Sequence, residues 1–238
     1  MKSERFFYGT AGAVFLALTL AGFHPFYVHA THADGSRIDP GIFPLVAVHG
    51  ASITAWFVLF FVQAMLINLR KRKLHMALGW SAVAIGAAIS FTGTLVAIRS
   101  VQLAPASFFF GMEYKRFLLS MFTEIALFTA FITAGLFTRR NPKIHRVMML
   151  MTSLTILPGA TARIPLLHPI FGSTGWLGLF GPVFCLGAVL LLVRSATSRT
   201  LDKWFAASYA VWVFAYIAST YLALTQTWSR LATFVLAL

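Results

Sequence analysis

Residues 43–75, FPLVAVHGASITAWFVLFFVQAMLINLRKRKLH, decide the fold class. At ~1.5 Å of rise per residue, the apolar run from Phe43 to Leu69 is long enough to cross roughly 30 Å of hydrocarbon as a helix. It stops at four cations, Arg70 to Lys73, and His75 opens the next apolar run. A second turn, Arg139-Arg140-Asn141-Pro142-Lys143-Ile144-His145, reads almost alike and also ends in a histidine before a long apolar run.

The composition extends this reading to the whole chain. Of 238 residues, 59% are apolar and only 11% charged, far outside the range in which charge can cover a soluble surface. The sequence predicts an all-α, polytopic integral membrane bundle of about seven transmembrane helices, forming a single membrane domain over 1–238. The expected spans are Phe6 to Phe23, Phe43 to Leu69, Leu74 to Ile98, Phe117 to Thr138, Ile144 to Leu167, Trp176 to Val193 and Trp204 to Leu224. The second to fifth, within 43–167, form the core, and helices 6–23, 176–193 and 204–224 are peripheral. Thr227 to Leu238 is too short to span and is expected to lie in the interface.

Charge sets the orientation. Lys2 and Arg5, Arg70 to Lys73, Arg139 to Arg146, and Arg194 to Lys203 alternate with loops poorer in cations. The amino terminus is therefore expected on the cytoplasmic side of the cell (inner) membrane and the carboxyl terminus outside. The net charge of +13 reads as loop cations beside anionic lipid and not as a nucleic-acid surface. Cys185 is the single cysteine, so neither an intramolecular disulfide nor a thiolate zinc site can form.

Depth groups the polar residues. Counting from the span midpoints at ~1.5 Å per residue, His75 and His145 both fall roughly 17 Å inward of centre. His49 and Arg163 fall about 10 Å outward, Glu124 about 5 Å outward and His168 about 18 Å outward. Two neutral imidazoles at one level on facing helices suit the axial positions of a haem b iron, which makes His75 and His145 candidate ligands. They could equally be interfacial histidines beside headgroups. A second haem at His49 would need His168 as partner, or His24, His29 or His32 from the first outer loop. That loop, His24 to Asp34, is also a candidate for capturing copper or zinc.

His49, Glu124 and Arg163 form a second constellation. A charge inside hydrocarbon costs at least ~2.5 kcal/mol on insertion scales unless paired or hydrated. Glu124 and Arg163 are therefore expected either to form a direct ion pair or to face an outer-half cavity. There Arg163 could hold a haem propionate or a substrate carboxylate. Pro158 and Pro165 should bend the fifth span and open space nearby. Gln63 and Asn68 on the second span, and Ser90, Thr92 and Thr94 on the third, are expected to bond between helices.

The chain resembles a known family in His49-Gly50, Gln63, the basic turn into Leu74-His75 with Leu78-Gly79, Arg139-Arg140-Asn141-Pro142 leading to His145-Arg146 and Met148 or Met149, and Arg163. These residues are similar to those of an uncharacterised bacterial four-helix membrane domain, over about half the chain. The resemblance implies a helical membrane bundle and carries no established activity. A more distant likeness is to the two-haem, ascorbate-reducible b-type cytochromes, whose helices carry histidines at two depths. Those proteins place a histidine on the helix equivalent to the fourth span, and this chain has none between Phe117 and Thr138.

Two functions are expected from these residues. The first is a redox component that binds haem b through His75 and His145 and exchanges electrons with a redox partner. The second is a non-redox membrane protein, a transporter or assembly factor, with a small-molecule pocket at His49, Glu124 and Arg163. No phosphate-cradling glycine loop or nucleophile elbow is present, and the sequence leaves open whether the protein is an enzyme.

Overall fold

The computed structural model describes residues 2–32, 35–105, 107–109, 111–173 and 175–237, with 2–5 as backbone alone. Helices dominate: α1 (Lys2–Gly22), α2 (His24–His29), α3 (Phe43–Asn68), α4 (Arg72–Gly79), α5 (Ser81–Leu103), α6 (Tyr114–Phe137), α7 (Pro142–Thr155), α8 (Pro158–Thr161), α9 (His168–Phe171), α10 (Gly175–Ser198), α11 (Lys203–Ala223) and α12 (Gln226–Leu236). A single 3-10 turn, Pro165–Leu167, precedes α9.

Among the described residues, five helices are long and apolar enough to cross a membrane: α3, α4 and α5 taken together as Arg72–Leu103, α6, α10 and α11. Pro142–Thr161 and Pro165–Phe171 make a sixth if they are one broken span, bent by 91°. Phe6–Gly22 is apolar but shorter. The expected interfacial segment near the carboxyl end is the short helix α12.

The two basic turns are built by different local chemistry. At the end of α3, Arg70 takes a left-handed conformation (φ 59°). Its N–H donates to the Ile67 carbonyl (3.1 Å) and the Lys71 N–H to the Leu66 carbonyl (2.8 Å), the bond pair of a Schellman cap. At the start of α7, the Asn141 side chain accepts from the Lys143 N–H (3.2 Å) with Pro142 next to it, where a missing N–H costs nothing. His75 N–H donates to Lys71 O and His145 N–H to Asn141 O, each at 3.0 Å. Both histidines thus stand four residues into their helices, the local reason for their matched depth. Asn141→Ala is expected to lower stability by about 1 kcal/mol, read as a lowered thermal midpoint in detergent.

The α7 helix is the axis of the core. Val147, Met148 and 150–155 are all buried, and α7 packs against α1, α3, α6 and α11. Trp56 Nε1 on α3 donates to Ser153 Oγ (3.1 Å). Pro158 lacks an N–H and cannot extend α7, so a separate turn restarts at α8. The carbonyls freed there find partners in the protein: Leu157 N–H donates to Leu154 O (3.3 Å) and Tyr216 Oη to Thr155 O (3.3 Å).

The two ends of the bundle are distinct. Arg139 stacks over Trp80 at 5.7 Å and the His75 and His145 rings meet, which gathers both basic turns at one end. Elsewhere Arg116 donates to Leu224 O and Gln102 to Leu236 O, both at 2.9 Å, which ties the α11–α12 turn to the start of α6 and the end of α12 to the end of α5. Within the loop between α5 and α6, Phe108–Phe109 pairs antiparallel with Met112–Glu113. Neither this hairpin nor α2 carries enough residues to leave a periodic signal in sequence.

Candidate functional site

At the basic end, the ring centroids of His75 and His145 are 6.4 Å apart and their planes lie at 87°. Each ring reaches back to a carbonyl on the preceding long helix. His145 Nδ1 lies 2.8 Å from Gly135 O, and His75 Nδ1 lies a looser 3.4 Å from Gln63 O. A carbonyl can only accept, so each Nδ1 carries the proton, and in the neutral ring Nε2 keeps its lone pair. Metal-bound histidines are usually held this way, with the second ring nitrogen donating to a carbonyl or carboxylate. The two rings stand edge to face.

The donor set also discriminates between ligands. No group of three or more His, Cys, Asp or Glu side chains that could hold a metal ion occurs among the described residues. A bare zinc or copper ion at His75 and His145 would therefore lack most of its ligands. Haem iron brings four nitrogens of its own and would need only two further donors from the protein; neither His75 nor His145 lines a described cavity. On α3, near His75, both polar atoms of the Gln63 amide are buried without a hydrogen-bond partner among the described residues. Arg72, Lys73, Arg140 and Lys143 are exposed on the same two turns.

Toward the other end, His49 on α3, Glu124 on α6 and Arg163 just after α8 line one cavity of about 320 Å³. The break between α7 and α8 and the 91° bend beyond it carry Arg163 to the cavity wall. Gly22 ends α1 against the Ala160 backbone, with no room for a side chain between them. The remaining lining is largely aromatic and aliphatic, with Phe23, Phe26, Phe117 and Phe128 prominent.

The polar groups in this cavity are set individually. Thr92 directs its hydroxyl proton to Ala88 O (2.6 Å), so its oxygen accepts from His49 Nδ1–H at 2.9 Å. His49 then keeps an Nε2 lone pair in the neutral ring. The ring of His49 packs against Gly93, where a Cβ would come within 3.1 Å of its Cε1. Arg163 donates to Gly159 O and lies 5.2 Å over the Phe23 ring. No ion pair within 4.0 Å joins Glu124 to Arg163 among the described residues. The direct bridge weighed from sequence is therefore absent, and the two side chains share the cavity instead.

The other sequence candidates disperse. His168 Nε2 donates to Ala162 O (3.2 Å), which leaves the lone pair on Nδ1. His168 does not line the cavity, whereas His32 does. The proposed copper or zinc loop shows no cluster of metal donors among its described residues, and Asp34 lies outside them. Sequence reading passed over Tyr114, Ser100 and Gly22 as cavity residues. No sequence periodicity marks them, because helix ends and loops bring them to the cavity. Of the five residues expected to bond between helices, Ser90 meets Thr129 Oγ1 at 2.9 Å and Thr92 meets His49, whereas Thr94 bonds Ser90 O and Asn68 reaches Met65 Sδ within their own helices, and the Gln63 amide finds no partner among the described residues.

No family model, no curated protein and no solved structure matches this chain.

Proposed function

We propose that the protein is a membrane redox component whose His75 and His145 hold a haem b. The observation that carries this reading is the pair of imidazoles 6.4 Å apart, each anchored through Nδ1 to a backbone carbonyl. In this reading seven spans cross the bilayer: the five long helices, the bent pair as one, and α1. The amino terminus and both basic turns face the cytoplasm, as the cation distribution favours. The likeness to a four-helix bacterial membrane domain and to two-haem b-type cytochromes belongs to the same proposal.

The chain's own residues would act as follows. His75 and His145 would hold the haem through Nε2, and the Gly135 and Gln63 carbonyls would fix ring orientation and raise ligand basicity. The buried Gln63 amide offers a donor and an acceptor beside the site. The exposed cations of the two turns provide partners for carboxylates at the headgroup level. When bound, haem b supplies reversible one-electron oxidation and reduction of its iron.

The test is the absorption spectrum of the full chain, purified from cells supplied with haem precursors. A Soret band that shifts on reduction with dithionite is expected. Colourless protein from haem-replete cells overturns the redox reading.

A second reading is favoured by a separate observation, the cavity shared by His49, Glu124 and Arg163. In that reading the protein is a non-redox membrane protein that binds a small molecule in the half opposite the histidine pair.

A further inference from the structure

The cavity holds the Arg163 guanidinium and the Glu124 carboxyl group, which form no direct ion pair with each other, although Glu124 also faces Tyr216. Each is costly in a membrane interior when uncompensated, and a structural bridge would have brought them into contact. Beyond its bond to Gly159 O, Arg163 has no hydrogen-bond partner among the described residues, and Glu124 enters no ion pair among them. His49, fixed by Thr92, adds an acceptor nitrogen on the same wall. The rest of the lining is apolar, with Phe26, Phe117 and Phe128 among it.

These features define the complement. A monoanion would satisfy Arg163 but leave Glu124 facing a like charge, and a monocation would reverse the fault. A neutral lipophile would complement neither polar group. A dipolar molecule with an apolar body compensates both charges and fills the rest of the space. About 320 Å³ lies at the small end of ligand pockets, which suits a compact solute over a long-chain lipid.

We propose that this cavity binds a zwitterionic amino acid with a large apolar side chain. Arg163 holds the α-carboxylate, Glu124 and His49 Nε2 receive the α-ammonium, and the aromatic wall covers the side chain. The inference deepens the cavity reading, on which it rests, and is independent of the histidine pair.

Equilibrium dialysis of the full chain in detergent with labelled L-phenylalanine tests it, with 3-phenylpropionate and phenethylamine as analogues that each lack one charge. L-Phenylalanine is expected to bind at least about ten-fold more tightly than either analogue, since each charge-assisted contact is of that order. Glu124→Gln should erase the preference over 3-phenylpropionate, and Arg163→Gln the preference over phenethylamine. Comparing analogues on the unmodified chain keeps the test decisive even if a variant fails to fold. Equal binding of 3-phenylpropionate, or of phenethylamine, overturns the zwitterion while leaving a pocket. Failure of all three to bind removes the cavity reading as well. Retention of binding in His75→Ala is expected, because the cavity does not use that ring.

Discussion

Replacing either His75 or His145 with alanine is expected to abolish the Soret band of the purified protein, while His49→Ala retains it. Losing an outer-shell partner of a metal ligand typically costs about 10- to 100-fold in affinity, and loss of one of two axial donors should exceed that. Both rings are only half-buried, so the variants should keep a thermal midpoint near the parent's. Colour loss then reports ligation and not unfolding. Unchanged spectra in both variants would refute the assignment of these two rings, even if the protein is red. His168→Ala should leave the band intact, since in this reading the haem is held by His75 and His145 alone.

A second large effect is expected at Gly22, where α1 meets α8. A Cβ there would fall on the carbonyl group of Ala160, and Ala160 is itself fully buried. A backbone held between buried neighbours cannot step aside as a side chain can, so Gly22→Leu should cost at least the ~1–3 kcal/mol typical of overpacking. Gly86 provides the contrast. A Cβ there meets the terminal methyl of Ile132, which can rotate away, and alanine gains up to about 1 kcal/mol of helix propensity over glycine. Gly86→Ala should therefore be close to neutral. Thermal unfolding in detergent measures both. Because α8 ends two residues before Arg163, Gly22→Leu should also weaken L-phenylalanine binding more than Gly86→Ala does. Equal melting behaviour of the two variants would contradict the close contact of α1 with α8.

Much of the helical layout was legible because long apolar runs and their basic breaks are local properties of the chain. The expected run Phe43 to Leu69 appears as Phe43–Asn68, and Trp204 to Leu224 as Lys203–Ala223. The fifth run differs most. Prolines at 158 and 165 predicted bending, but the sequence does not reveal that the chain breaks into several short pieces with a 91° turn. That angle depends on which neighbours satisfy the freed carbonyls, and the partner for Thr155 O is Tyr216, far along the chain. The pairing of Glu124 with Arg163 was equally undecided, because depth along two helices does not give their rotation about their axes.

By itself the sequence determined the all-α class, the basic turns, and the matching places of His75 and His145 just inside their helices, since each follows from run length, charge and turn residues. Tertiary structure alone decided which carbonyl holds each ring, that His49 bonds Thr92, and that Glu124 and Arg163 face a shared cavity without touching. The physical reason is that depth accumulates along one helix, whereas contact depends on the rotation and close approach of helices whose packing surfaces lie far apart in sequence.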